Sequence, residues 1–236
     1  MRTFPHLIAL VLLFACSKGE ALYMAPTPVI TPLPPSAANK TFLALGDSYT
    51  IGQSVPEAQR FPSQTAAILQ QQGLRISSPV YIAQTGWTTA DLQAAIASRN
   101  LAPGYDVVTL LIGVNDQYRR MDTAGYARRF EELLQKAISL ARDKKSNVFV
   151  VSIPDYSATP FVPAPDKARV SMEVDAFNQI NRRITEAFGV SYTDITPGSR
   201  DASTNSSLVA SDGLHPSGFE YKKWAELLAP KIRAVL

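Results

Sequence analysis

Phe42-Leu43-Ala44-Leu45-Gly46-Asp47-Ser48-Tyr49-Thr50 is a short apolar run that stops at a Gly-Asp-Ser turn. It reads as a buried strand delivering a serine to the carboxyl edge of a sheet. In an open α/β sheet that edge is where ligands bind. Further runs at 79–83, 107–112, 147–153 and 190–195 are also short, often β-branched and mostly apolar on both faces. Buried parallel strands have this pattern. Between the runs, apolar residues recur three and four apart. One such segment carries Tyr126, Phe130, Leu133, Leu134, Ala137, Ile138 and Ala141; another carries Val170, Val174, Phe177, Ile184 and Phe188. Polar residues fill the gaps, so each segment has the single apolar stripe of an amphipathic helix. Pro62 and Pro216 stand where the first turns of helices are expected. Strands alternating with helices imply a parallel sheet covered on both faces. Residues 40–236 show no internal repeat and no second composition block, so they are expected to form one domain.

Composition narrows the chemistry. Of 236 residues, 46% are hydrophobic and 18% charged, enough to build a sizeable core. The formal net charge is +3, and the basic residues come in scattered pairs along the expected helices. Solvated helix faces account for them, and no nucleic-acid partner is expected. The lone cysteine, Cys16, excludes an intrachain disulfide. The only histidines are His6 and His215. Once the N-terminal segment is removed, His215 is the sole imidazole, which rules out a multi-histidine metal centre.

That N-terminal segment opens with Arg2 and runs apolar from Leu7 to Ala15. It is too short for a membrane-spanning helix, which needs ~20 residues, and suits the apolar region of a secretory signal. Leu13-Phe14-Ala15-Cys16-Ser17 resembles the bacterial lipoprotein signal, in which a cysteine is lipidated and becomes the new N-terminus. Residues 1–15 are therefore expected to be a signal peptide. Residues 16–39, with Pro26, Pro28, Pro32, Pro34 and Pro35, are expected to be a lipid-anchored, extended linker. The protein would face the periplasm or the cell surface, held to a membrane by lipid at Cys16 without spanning it. The alternative is an ordinary cleaved signal with Cys16 incidental.

Four sites lie just past a strand or before the last helix: Gly46-Asp47-Ser48, Gln84-Thr85-Gly86-Trp87, Gly113-Val114-Asn115-Asp116 and Asp212-Gly213-Leu214-His215-Pro216. Together, and in this order, they resemble the SGNH hydrolases, also called GDSL-type esterases, over about residues 41–236. The Ser, Gly, Asn and His of the family name would be Ser48, Gly86, Asn115 and His215. Tyr49 stands where the GDSL signature has Leu. The resemblance implies a flavodoxin-like three-layer α/β/α sandwich with a five-stranded parallel sheet. It also implies a metal-independent serine esterase without cofactor. The oxyanion hole would be the backbone N–H groups of Ser48 and Gly86 and the side-chain amide of Asn115.

The residue types suit that chemistry. A serine hydroxyl is a weak nucleophile until a base takes its proton, and a neutral imidazole does so best near pH 7. Asp212 lies three residues before His215, and Gly213 permits a tight bend, so its carboxylate can reach back to fix the tautomer. Pro216 suggests that His215 caps a helix N-terminus, where the dipole disfavours imidazolium; Asp212 would counter this during attack. The expected catalytic residues are Ser48, Asp212 and His215. Asp47 and Asp116 are read as turn-locking residues, since Asp bonds local backbone in turns. Tyr49 and Trp87 flank the site and either line an acyl or sugar pocket or simply pack. The Gly-x-Ser-x-Gly elbow of α/β-hydrolases is absent.

The expected substrate is a small-molecule or glycan ester carrying a short acyl or acetyl group. A lysophospholipase or thioesterase, or a non-catalytic carbohydrate-binding domain on the same scaffold, are the alternatives. The loops at 154–167 and 196–211 exceed what connection needs and are expected at the same sheet edge as Ser48.

Overall fold

The computed structural model describes residues 39–99 and 101–236. The expected signal peptide (1–15) and all but the last residue of the expected linker (16–39) lie outside the described residues. Five parallel strands form one sheet in the order β2-β1-β3-β4-β5, the flavodoxin-like order. They are β1 (Phe42–Gly46), β2 (Val80–Ala83), β3 (Val107–Leu111), β4 (Val148–Val151) and β5 (Ser191–Thr193).

The three inner strands, β1, β3 and β4, are buried at every position. The outer two differ from the both-faces-apolar expectation. Val80 in β2 is exposed, and Ser191 and Tyr192 in β5 are half-buried. An edge strand has a neighbour on one side only, so part of it meets water.

The longer helices form two layers. One pairs α2 (Phe61–Gln71) with α8 (Gly218–Arg233). The other runs through α3 (Thr89–Ala97), α5 (Thr123–Leu140) and α6 (Lys167–Ala187). The apolar stripes read from sequence are the buried faces of α5 and α6: Phe130, Leu133, Leu134 and Ala137 in the first, Val170, Val174 and Phe177 in the second. Short helices α1 (Ser48–Ile51), α4 (Val114–Tyr118) and α7 (Thr196–Ser199) each follow closely on a strand.

Pro62 is the second residue of α2, as expected. Pro216 is not in a first turn: α8 begins at Gly218 and its N-cap is Ser217, whose hydroxyl accepts the N–H of Glu220. His215 therefore lies two residues upstream of the cap rather than being the cap.

Strand register sets up the site. Gly46 is level with Ala83 on one side and Leu111 on the other. The segments that follow each strand, bearing Ser48, Gly86 and Asn115, thus leave the sheet at one height and one edge. Gly46 is glycine because any Cβ there would collide with the Thr50 side chain and the carbonyl of Leu111.

Candidate active site

Ser48 is the first residue of α1. Its turn is locked by Asp47, the N-cap, whose Oδ1 accepts the Tyr49 N–H at 3.0 Å. Asp47 is fully buried, and its Oδ2 has no hydrogen-bond partner among the described residues. Burial first, and then the nearby Asp116 charge, push its carboxyl up to about 8 against the Tyr49 N–H bond that opposes them. The folded chain therefore holds a proton on Asp47 that the unfolded chain has already lost above pH ~4. A raised acid pKa contributes stability that is lost as pH rises through the folded value. Asp47→Asn keeps a competent cap and removes that dependence. In urea unfolding, the wild type is expected to lose stability between pH 5 and pH 9 by a few kcal/mol more than Asp47→Asn. Equal losses would show that Asp47 is not the group responsible.

Asp116 is also fully buried, and it is not the local turn lock expected from the sequence: it clamps distant segments, because its carboxylate points at Thr89 and Arg129 rather than at its own turn. It accepts the Thr89 N–H (2.8 Å), the Thr89 hydroxyl (2.6 Å) and Arg129 (3.3 Å), tying α4 to α3 and α5. The next-door Asn115 is thereby fixed. Its amide donates one N–H to the carbonyl of Trp87 at 3.0 Å, which orients the side chain and leaves the second N–H unused by that bond.

Gly86 sits in a turn closed by the Trp87 N–H on the Gln84 carbonyl (3.3 Å), and the Arg119 guanidinium donates to the Gly86 carbonyl at 2.8 Å. Its φ of +84° is in the left-handed region that favours glycine.

The Asp212–His215 pair is short and tightly held. His215 Nδ1 lies 2.7 Å from Asp212 Oδ2. Asp212 Oδ1 accepts the N–H groups of Leu214 and His215, both at 2.9 Å. Ser54 adds a bond from its hydroxyl to Asp212 Oδ2 at 2.6 Å. Partial burial works to raise the Asp212 pKa, but these donors outweigh it, the Ser54 hydroxyl foremost, and hold the carboxyl well below the ordinary range. The histidine loop is braced from behind. Ala210 N–H donates to the His215 carbonyl (2.7 Å), and Val209 pairs with Pro216 in an antiparallel bridge.

Ser48, Gly86, Asn115 and His215 line one cavity of about 180 Å³ at the carboxyl edge of the sheet. The remaining walls are largely apolar, supplied by Val114, Tyr118, Tyr156, Phe161 and Leu214. Tyr49 lines it too, but as a buried support. Its ring is 5.5 Å from the His215 imidazole and 6.4 Å from Trp224. Trp87 is not among the lining residues; it packs on the core, and its carbonyl holds Asn115.

Of the two long loops, 154–167 brings Tyr156 and Phe161 to the cavity and is tied to the histidine loop by the Phe161 N–H on the Gly213 carbonyl (3.2 Å). The 196–211 loop contributes no wall to this cavity; Ser199, Ala202, Leu208 and Val209 instead line a smaller one behind His215, and the far end of the loop braces the histidine loop.

Ser54 was not evident in the sequence. It follows a left-handed Gly52 and itself has a φ of +66°, unusual for a residue with a Cβ. Next to it, Gln53 Oε1 accepts the Thr85 hydroxyl at 2.6 Å. The 52–54 turn thus links the loop that carries Ser48 to the loops that carry Gly86 and Asp212.

Among the described residues, no group of three or more His, Cys, Asp or Glu side chains is arranged to hold a metal ion.

A comparison with curated protein sequences finds no significant match. Solved structures share the fold. The chain is similar to TesA (TM-score 0.64, 19% identity, covering 84% of this chain and 100% of that one). It is similar to a mutant of Axe2, an acetyl-xylooligosaccharide esterase from Geobacillus stearothermophilus (TM-score 0.64, 19% identity, 82% and 94%). It is also similar to the psychrotrophic esterase EstA from Pseudoalteromonas sp. (TM-score 0.60, 16% identity, 83% and 98%). The model of the GDSL-like lipase/acylhydrolase family matches residues 44–223, a span that contains every residue of the cavity described above, and the chain belongs to that family.

Proposed function

We propose that the protein is a serine esterase that hydrolyses carboxylic esters of short acyl groups through an acyl-Ser48 intermediate. The observation that carries this reading is the convergence of Ser48, the Asp212–His215 pair, Gly86 and Asn115 on one cavity. His215 takes the Ser48 proton as the oxygen attacks the ester carbonyl, then gives it to the departing alkoxide. Water repeats the sequence, with His215 again as base, to release the acid and restore Ser48. Asp212 holds the imidazole with its proton on Nδ1 and stabilises the imidazolium that forms. The N–H groups of Ser48, Gly86 and the Asn115 amide receive the oxyanion. No step needs a metal. The apolar walls and modest volume of the cavity suit an acetyl or other short acyl group.

The test is turnover of p-nitrophenyl acetate together with a covalent phosphonate adduct on Ser48 found by mass spectrometry. In the same assay Asn115→Ala is expected to lower kcat by ~10²–10³, the loss typical of one oxyanion donor. An unchanged kcat would remove Asn115 from that role.

We also propose that the protein is exported and anchored by lipid at Cys16. The short apolar run ending at Ala15-Cys16 supports this. Cys16→Ser is expected to move the protein from the membrane to the soluble fraction; retention in the membrane fraction would refute the anchor.

A further inference from the structure

Beside the catalytic cavity lies a second cleft of about 440 Å³. The two share three walls: Tyr118, Tyr156 and Phe161. Their rings form a triangle with centroids 6.5 Å (Tyr118–Tyr156), 6.4 Å (Tyr118–Phe161) and 6.4 Å (Tyr156–Phe161) apart. Two of them are exposed to a degree unusual for large aromatics, Tyr118 at 59% and Phe161 at 46%. Neither exposure is needed for packing, and both are on the boundary between the cavities.

We propose that this cleft is the subsite for the alcohol portion of the ester, and that it takes a neutral, hydroxyl-rich group such as a sugar ring. The inference rests on the esterase reading above and adds to it where the leaving group sits and what it is.

The chemistry of the two cavities divides the substrate. The catalytic cavity offers apolar walls for the acyl group. The cleft instead carries a ladder of directional polar groups. Tyr156 hydroxyl donates to Gln117 Oε1 (2.9 Å), and Gln117 Nε2 donates to Glu173 Oε2 (2.6 Å). Arg169 bridges Glu173 Oε1 (3.0 Å) and Asp166 Oδ1 (2.7 Å). A fourth charged side chain, Arg120, lines the cleft, and no hydrogen bond or ion pair occupies it among the described residues.

Two guanidinium groups therefore face two carboxylates, and the charges cancel. A charge-balanced set of donors and acceptors does not select an ion. It also disfavours a hydrocarbon chain, which would strip water from charged groups and return no hydrogen bonds. Hydroxyl groups can both donate to the carboxylates and accept from Arg120. The apolar C–H face of a sugar ring matches the exposed faces of Tyr118 and Phe161.

Location supports the same division. Phe161 is hydrogen-bonded through its N–H to Gly213, in the loop that positions His215. The leaving oxygen must sit against His215 to receive its proton. A group attached to that oxygen is directed over Phe161 into the cleft.

The experiment compares two acetyl esters that differ only in the alcohol, 6-O-acetylglucose and ethyl acetate, using the full chain and reading acetate release. The wild type is expected to favour the sugar ester in kcat/KM. In Arg120→Ala and in Glu173→Gln the ratio of the two kcat/KM values should fall about tenfold, the effect of one lost hydrogen bond to a charged group. Turnover of both esters with a ratio that neither variant moves would overturn the subsite and leave the esterase reading intact. No turnover of either ester would overturn the subsite, and p-nitrophenyl acetate run beside them decides the esterase reading separately. Circular dichroism of the variants excludes misfolding, which an exposed Arg120 and an isosteric Gln are not expected to cause.

Discussion

Ser48→Ala is expected to lower kcat for p-nitrophenyl acetate by a factor on the order of 10⁶, the loss measured when the serine of a Ser-His-Asp enzyme is removed. The variant should fold normally. Alanine is a good helix former, and the cap on α1 comes from Asp47, which the change does not touch. KM should change little, because the apolar walls and the oxyanion donors remain. The measurement is the initial rate on protein free of contaminating esterase. Equal rates for wild type and variant would remove the nucleophile and favour a binding module that retains the scaffold without turnover.

Asp212→Asn is expected to cost about 10⁴ in kcat, as for the equivalent change in other triads, and the surrounding bonds say why. Two backbone N–H groups, from Leu214 and His215, point at Oδ1. They hold the oxygen of an Asn side chain there and force its NH₂ into the place of Oδ2. That NH₂ then faces His215 Nδ1, which must accept rather than donate. The imidazole proton moves to Nε2, the nitrogen that should take the proton from Ser48. The loss should therefore appear in kcat, with secondary structure intact by circular dichroism. A variant within tenfold of wild type would show that Asp212 does not set the tautomer.

The parts of the architecture that depend on local pattern were legible in the sequence. Strand ends were visible because Gly46 and Gly113 break apolar runs, and the Asp212–His215 pair because its members are three residues apart. Parallel register then brought the loops to one edge. What the sequence does not show depends on contacts between distant segments. The Ser54–Asp212 bond spans 158 positions, and nothing near Ser54 marks it as polar support for a carboxylate. Trp87 shows the same limit in reverse: an aromatic beside a site glycine reads equally as a pocket wall or as packing; it packs, and only its carbonyl acts on the site. Pro216 is ambiguous for a local reason. Proline suits both the first turn of a helix and the residue just before the cap, and Ser217 takes the cap here.

The turn at 52–54 has a wider effect than its length suggests. Nucleophile, oxyanion donor and base arise on separate loops, yet one three-residue stretch is hydrogen-bonded to two of them and continuous with the third. Loss of that turn would take the Ser54 hydroxyl from Asp212 and the Gln53 amide oxygen from Thr85 in one event. The base and the oxyanion loop would then lose support together rather than one at a time.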